Sequence, residues 1–264
     1  MRTIPKRLTA IAAGLVVAVL GASAHAASAP IQNSKHNMNL VFGANTIQDN
    51  QICLPCHAPH SQPDKTQDTL WNHVMPSQSY TLYGSGTSYV GLDETSKKCL
   101  SCHDGSVAVD SYGAGGTVTT GTHFIGTTND AGGNSTAGFQ IGGGGDLSHD
   151  HPVGIQYPGL SADGKTWVST RGFKDPTKFN TTSYYSAIQN PDSSYVPANY
   201  VNDGGTSIKA VGGASISLSS TTSGGVTYSN VVGCGSCHTP HTNTYNFLHV
   251  PNTNSQLCLT CHDK

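Results

Sequence analysis

The strongest constraint on this chain is a five-residue motif, C-x-x-C-H, which occurs four times and contains all eight cysteines. The copies are CLPCH at 53–57, CLSCH at 99–103, CGSCH at 234–238 and CLTCH at 258–262, here named the first to fourth motifs. C-x-x-C-H is the attachment signature of c-type haem, in which two thiols add to the vinyl groups and the adjacent histidine binds the iron. The sequence therefore predicts four covalent haem c groups, each with its iron.

This prediction assigns two roles within the motifs. The residues predicted for covalent haem attachment are Cys53, Cys56, Cys99, Cys102, Cys234, Cys237, Cys258 and Cys261. The predicted proximal axial ligands of the iron are His57, His103, His238 and His262.

Three other uses of paired cysteines explain the pattern less well. An exported protein with an even number of cysteines favours disulfides, but disulfides do not require a histidine after every second cysteine. Zinc sites use pairs of C-x-x-C without a histidine directly after each pair. Iron–sulfur clusters need four cysteines each and no histidine at these positions. A match in all four copies, with no cysteine left over, favours haem.

The composition fits a core that is not built from side chains alone. Only 36% of the residues are hydrophobic and 31 are glycine, which is little apolar material for a chain of this length. Haem macrocycles would supply the missing apolar mass. We therefore expect a mostly coil or irregular multihaem cytochrome c with short helices and a few short β-strands, wrapped around a haem chain. The stretch ASISLSSTTSGGVTYSNVV predicts one β-hairpin around its Ser-Gly-Gly.

The beginning of the chain resembles an export signal. A basic start, the apolar run LTAIAAGLVVAVLG and the sequence AHA at 24–26 predict a signal peptide over residues 1–26. A membrane anchor is the alternative, but the run is short for a bilayer span. Residues 27–264 are then expected to form a single tetrahaem domain, with a haem-free Gly/Ser/Thr-rich region at about 104–233. Residues 27–264 have a net charge of −5 and no basic patch, which argues against nucleic acid as a partner.

Each haem iron has a second axial position, and its ligand decides whether the iron can bind other molecules. Eight histidines lie outside the motifs in the mature chain and four are needed. The distal candidates are His60, His241, His151, His36 and His73. Methionine is a poor source, because only Met38 and Met75 follow the predicted signal peptide.

Chain reach limits which iron His60 and His241 can serve. Each lies three residues after a motif histidine, and three extended residues span only about 10 Å. That is too short to pass the edge of the macrocycle and return on its opposite face. Each therefore binds a different iron or none. His151 is held in extended backbone by Pro152 and suits a ligand, although His149 competes with it.

The order of several segments resembles one cytochrome family. These segments are the early His36, CLPCHAPH, LWNH, KCLSCHDGSVAVDS, DLSHDHPVG, GCGSCHTPHTN and LCLTCH. In this order they resemble the OmcE-like tetrahaem cytochromes, which polymerise into extracellular filaments. The resemblance covers both ends of the chain well and the Gly-rich middle poorly. It implies bis-histidine haems packed in alternating parallel and perpendicular pairs along one line.

The resemblance also implies that one haem takes its distal histidine from the neighbouring subunit. On this sequence we assign that role to His60, which would bind the iron of the Cys234/Cys237 haem in the next chain. The expected function is long-range extracellular electron transfer in a homopolymer secreted through the signal peptide. Its expected partners are redox cytochromes or extracellular electron acceptors, and the mature form is expected to have no membrane span.

Two other functions are compatible with four haems. The chain could be a monomeric periplasmic tetrahaem electron shuttle, although the large polar middle region is unnecessary for one. It could also be a multihaem reductase, which needs at least one haem with an open or labile axial position. The surplus of histidines and the lack of a catalytic constellation argue against an enzyme.

Overall fold

The computed structural model describes residues 31–58, 70–84, 88–113, 119–157, 172–173, 207–209, 215–241, 243–249 and 252–262. The predicted signal peptide, His60 and part of the Gly/Ser/Thr-rich region lie outside these ranges. No helix in the described ranges is long and apolar enough to cross a membrane.

The secondary-structure elements are short. The α-helices are α1 (Met38–Val41), α2 (Glu94–His103), α3 (Cys234–Cys237) and α4 (Gln256–Cys261). The strands are β1 (Ile155–Gln156), β2 (Ser207–Lys209), β3 (Ser215–Ser217), β4 (Ser219–Ser223) and β5 (Val226–Val232). Short 3-10 segments occur at Ile31–Asn33, Gln48–Asn50, Ala137–Phe139, Gly143–Gly145, Thr244–Phe247 and Thr253–Ser255.

The strands form two small antiparallel sheets. One has the order β1-β5-β4, and the other pairs β2 with β3. β4 and β5 are joined by Gly224 and Gly225, whose φ angles of +57° and +79° belong to the type I′ turn that matches the twist of a hairpin. The hairpin predicted around Ser-Gly-Gly is confirmed.

The three-stranded sheet positions the second and third motifs. Its last strand, β5, ends at Val232, two residues before α3 and the third motif begin. On the other edge, Ile155 of β1 pairs with both Val232 and Tyr89, and Tyr89 lies five residues before α2. The Thr221 hydroxyl of β4 also donates to the Leu92 carbonyl at 2.9 Å. The first turns of α2 and α3 are therefore brought together.

The buried apolar side chains form two small clusters. One consists of Met38, Ile47, Val109, Tyr112 and Ile125, and Cys102 packs against it. The other consists of Leu92, Leu100 and Leu147. Both clusters touch the second motif or its helix, so the described core is centred on α2.

Candidate haem-binding sites

All four motifs contain one helical turn. The histidine amide donates to the carbonyl of the first cysteine at 2.8 Å in the first motif, 3.0 Å in the third and 2.9 Å in the fourth. The second motif lies inside α2. On a helix, residues at i, i+3 and i+4 share a face. Each motif therefore presents two thiols and an imidazole on one side, as covalent haem attachment requires.

A buried polar node joins the second and third motifs. The Ser96 hydroxyl donates to the Asp93 carboxylate at the start of α2 and accepts the Cys234 amide at 2.9 Å. Asp93 and Ser96 are both buried. Gly233 has no room for a side chain, because a Cβ there would collide with the Asp93 carboxylate. This close packing sets α3 directly against α2.

Cysteines of successive motifs interact in chain order. Burial, then the charge of Cys56, raise the pKa of Cys102, so the first and second motifs lie close together. A hydrogen bond with Cys234 raises the pKa of Cys99, which connects the second and third. Burial, then the charges of Cys234 and Cys258, raise the pKa of Cys237 to about 11. Cysteines of neighbouring motifs are therefore close enough to affect one another's pKa.

Three motif histidines face a histidine from elsewhere in the chain. The ring centroids are 6.1 Å apart for His57 and His241, and 6.2 Å apart for His103 and His36. For His262 and His151 the separation is 6.5 Å. His241, His36 and His151 are all distal candidates of the sequence. Each of them faces a motif histidine that is not the one nearest to it along the chain.

This spacing fits a metal ion between the two rings. Imidazole nitrogens bind a first-row metal such as zinc at about 2.0–2.1 Å, and the ring centre lies about 1.1 Å further away. Two histidines on opposite sides of one metal therefore have ring centres about 6 Å apart. Two cysteines for covalent attachment and two imidazoles for the iron are the residues that a bis-histidine haem c requires.

A hydrogen bond from Nδ1 orients the His103 ring so that Nε2 can bind a metal ion. Nδ1 lies 2.8 Å from the Phe139 carbonyl oxygen, which can only accept, so Nδ1 carries the proton. The lone pair is then on Nε2, and the hydrogen bond fixes the orientation of the ring. Metal-binding histidines commonly have such a partner.

His36, opposite His103, lies in a more enclosed position. Burial, then the charge of His103, lower the pKa of His36 to about 4, although a backbone interaction with Pro240 acts in the opposite direction. The imidazole is therefore neutral at pH 7, the form that binds metal. Its Nδ1 is buried and makes no hydrogen bond.

The third motif differs, because His238 is exposed. No aromatic ring among the described residues lies opposite it at the spacing of the other three pairs. His249, close in sequence, instead directs Nε2 to the Gly235 carbonyl at 3.2 Å. His60, the remaining candidate beside a motif, lies outside the described residues.

His73 is the fifth distal candidate, and its ring is occupied by protein groups. It is completely buried, with Nδ1 2.8 Å from the Val74 carbonyl and Nε2 3.1 Å from the Ala108 carbonyl. Nε2 also lies 3.4 Å from the Cys102 sulfur. The structure therefore brings His73 to the edge of the second motif rather than opposite a motif histidine.

The other two histidines outside the motifs have different surroundings. The Nδ1 atom of His123 lies 2.8 Å from the Asp110 carboxylate. Burial opposes ionisation of Asp110, but hydrogen bonds from His123 and Thr122 lower its pKa. His149, the competitor of His151, is exposed.

Sequence reasoning missed two groups that shape these sites. The Phe139 carbonyl, which orients His103, is a backbone group 36 residues away and has no signal in the sequence. The node at Asp93 and Ser96 could have been found, because an aspartate directly before a polar helical stretch is a typical N-cap.

One comparison with known proteins supports the interpretation of the third and fourth motifs. The family model described as a doubled CXXCH motif matches residues 229–264, which contain the third and fourth motifs. No curated protein matches the chain. The match indicates covalent haem c binding, iron included, and a c-type multihaem cytochrome that transfers electrons.

Proposed function

We propose that the chain is an exported tetrahaem cytochrome that polymerises into an extracellular filament and carries electrons over long distances. Each of the four motifs would hold one haem with two histidine ligands. The observation that carries this proposal is the set of three facing histidine pairs with centroids 6.1–6.5 Å apart. An iron with two histidine ligands supplies a one-electron couple and no open position for a substrate.

The facing histidine rings support three proposed ligand pairs. His57 would be paired with His241, His103 with His36, and His262 with His151. In all three pairs the distal ligand comes from a distant part of the same chain. His73 lies with one ring nitrogen near each of two carbonyl oxygens and can donate to one of them, so it would be a hydrogen-bonding residue beside the second motif.

The remaining motif histidine supports polymerisation. His238 is exposed and has no facing ring among the described residues, so its distal ligand is expected from another subunit. We assign His60 of the next chain to this position. Each subunit would then complete one site of its neighbour, and repetition of a contact that does not close produces a filament.

The adjacency of successive motifs supports a continuous electron path within the subunit. Cysteines of the first and second, second and third, and third and fourth motifs interact. The chain's own residues would hold the four groups in this order and supply the second histidine ligand of each iron. None of these tasks requires a catalytic residue.

The test is to isolate the extracellular fraction of expressing cells by gentle shearing and to view it by electron microscopy. Regular thin filaments that stain for haem and contain this chain, with four haems per chain by mass spectrometry, are the expected result. Dispersed monomers confined to the periplasm would favour the shuttle instead. High-spin ferric haem in the intact protein, detected by electron paramagnetic resonance (EPR), would favour the reductase.

A further inference from the structure

We infer that Phe247 is a positioning residue for His36, through which the segment after the third motif orients a ligand of the second haem. This inference rests on the proposed function, because it takes His36 as the distal ligand opposite His103. It assigns a role to an aromatic residue that lies outside every motif.

The first observation is the ring contact itself. The centroids of His36 and Phe247 are 4.6 Å apart and the rings meet edge to face at 68°. The preferred geometry of aromatic pairs is of this kind. His103 is oriented by its hydrogen bond to Phe139, whereas the Nδ1 of His36 is buried and makes no hydrogen bond. The His36 ring is therefore restrained by its contact with Phe247 and by its backbone interaction with Pro240, and not by a hydrogen bond at Nδ1.

The second observation is the backbone that presents Phe247. Tyr245, Asn246 and Phe247 have φ angles of +52°, +58° and +65°. Bulky residues rarely adopt the left-handed region, and such strain persists only where surrounding structure enforces it. Here the Phe247 carbonyl accepts the Thr239 amide at 2.8 Å, so the loop is fastened to the residue after the third motif.

Two further hydrogen bonds complete the connection. The His249 amide donates to the Cys237 carbonyl at 2.9 Å, which fixes the other end of the loop to the third motif. The Asn243 side chain donates to the Asn33 carbonyl at 3.3 Å, in the segment that leads to His36. The loop therefore holds the His36 segment and the His36 ring relative to the third motif.

The test uses EPR spectroscopy of the purified holoprotein with all haems attached. The g-values of a low-spin ferric haem depend on the orientation of its ligand planes, which surrounding residues set. We expect Phe247→Leu to shift the g-values of one low-spin haem and leave the other three unchanged. Phe247→Tyr should restore the wild-type signal. Tyr245→Leu, which removes an exposed ring from the same strained loop, is the matched control and should leave all four signals unchanged.

His36→Ala separates this inference from the proposed function. A high-spin haem in His36→Ala together with unshifted signals in Phe247→Leu would refute the positioning role and leave the ligand assignment intact. Four low-spin haems in His36→Ala would refute the ligand assignment, and the positioning role with it. An equal shift in Tyr245→Leu would also refute the inference, because it would reflect general disturbance of the loop.

Discussion

The second and third motifs have the same five-residue pattern and adjoin through a shared polar node, yet their histidines have different surroundings. His103 ends a ten-residue helix, donates to the Phe139 carbonyl and faces the half-buried ring of His36. His238 follows a four-residue helical turn, is exposed and faces no ring among the described residues. Both motifs present two cysteines and a histidine, whereas only His103 has a facing histidine ring among the described residues.

This contrast separates two tasks that multihaem proteins must perform. Attachment is local, because thiols and imidazole lie within one helical turn. Completion of the iron is non-local, because His36 and His103 are 67 residues apart and meet only through tertiary packing. A site completed within the chain stabilises the subunit. A site left open at the surface can make one subunit depend on the next.

The largest effect should come from removing the proposed intersubunit ligand. We expect His60→Ala to abolish filaments and to convert one of the four low-spin haems to high spin. Haem attachment should not change, since the motifs are intact. Electron microscopy and EPR measure the two effects. Assembled filaments with all haems six-coordinate in this variant would refute the assignment of His60.

The corresponding substitution at His36, which faces the second motif, should affect the iron of that motif without affecting assembly. In His36→Ala, one haem should become high spin while filaments still form, because this ligand is supplied within the subunit. His73→Ala is a useful companion, since His73 is buried near the same motif but does not face His103. It should leave all irons low-spin, and a high-spin haem there would contradict the proposed pairing.

The sequence predicted those features that depend on interactions between residues close together in the chain. The motif turns and the β4–β5 hairpin follow from local chemistry, either the spacing of thiols and imidazole or two adjacent glycines with positive φ. The limited reach of three residues also predicted that His241 does not serve the iron of its own motif. In the structure the ring opposite His241 is that of His57.

The pairings themselves could not be read from the sequence. Five distal candidates and four predicted irons allow many combinations, and His36, His73 and His151 have no local signal that indicates which motif they face. The choice depends on packing, such as the burial of His73 beside the Val74 and Ala108 carbonyl groups. Backbone partners like the Phe139 carbonyl have no sequence signature at all.

A smaller effect should follow from disturbing the node that joins the second and third motifs. Ser96→Ala removes a hydroxyl that serves both Asp93 and Cys234, leaving a buried carboxylate oxygen and an amide without that partner. Such a loss costs about 1–3 kcal/mol. The urea midpoint of the holoprotein should fall accordingly. Ser101→Ala is the control, because that equally buried hydroxyl donates within α2 to the Lys98 carbonyl and should cost less.

The smallest expected effect is a difference in stability between substitutions of two adjacent lysines of α2, Lys97 and Lys98. Lys97 forms an exposed ion pair with Glu94 at 2.7 Å, which is worth about 0.2–0.5 kcal/mol and is screened by salt. The Lys98 ammonium lies 5.9 Å from the centre of the Trp71 ring, and a cation over an indole contributes about 0.5–1 kcal/mol. Lys98→Gln should therefore lower the urea midpoint more than Lys97→Gln.

Salt tests the reason for that difference. In high salt the cost of Lys97→Gln should disappear, whereas Lys98→Gln should keep most of its effect because its partner is an aromatic face rather than an exposed carboxylate. Trp71 also packs edge-on against His57, with ring centres 6.4 Å apart. Lys98 on the helix of the second motif thus reaches the surroundings of the first. Equal costs for the two substitutions at every salt concentration would mean that this contact between neighbouring motifs adds nothing to stability.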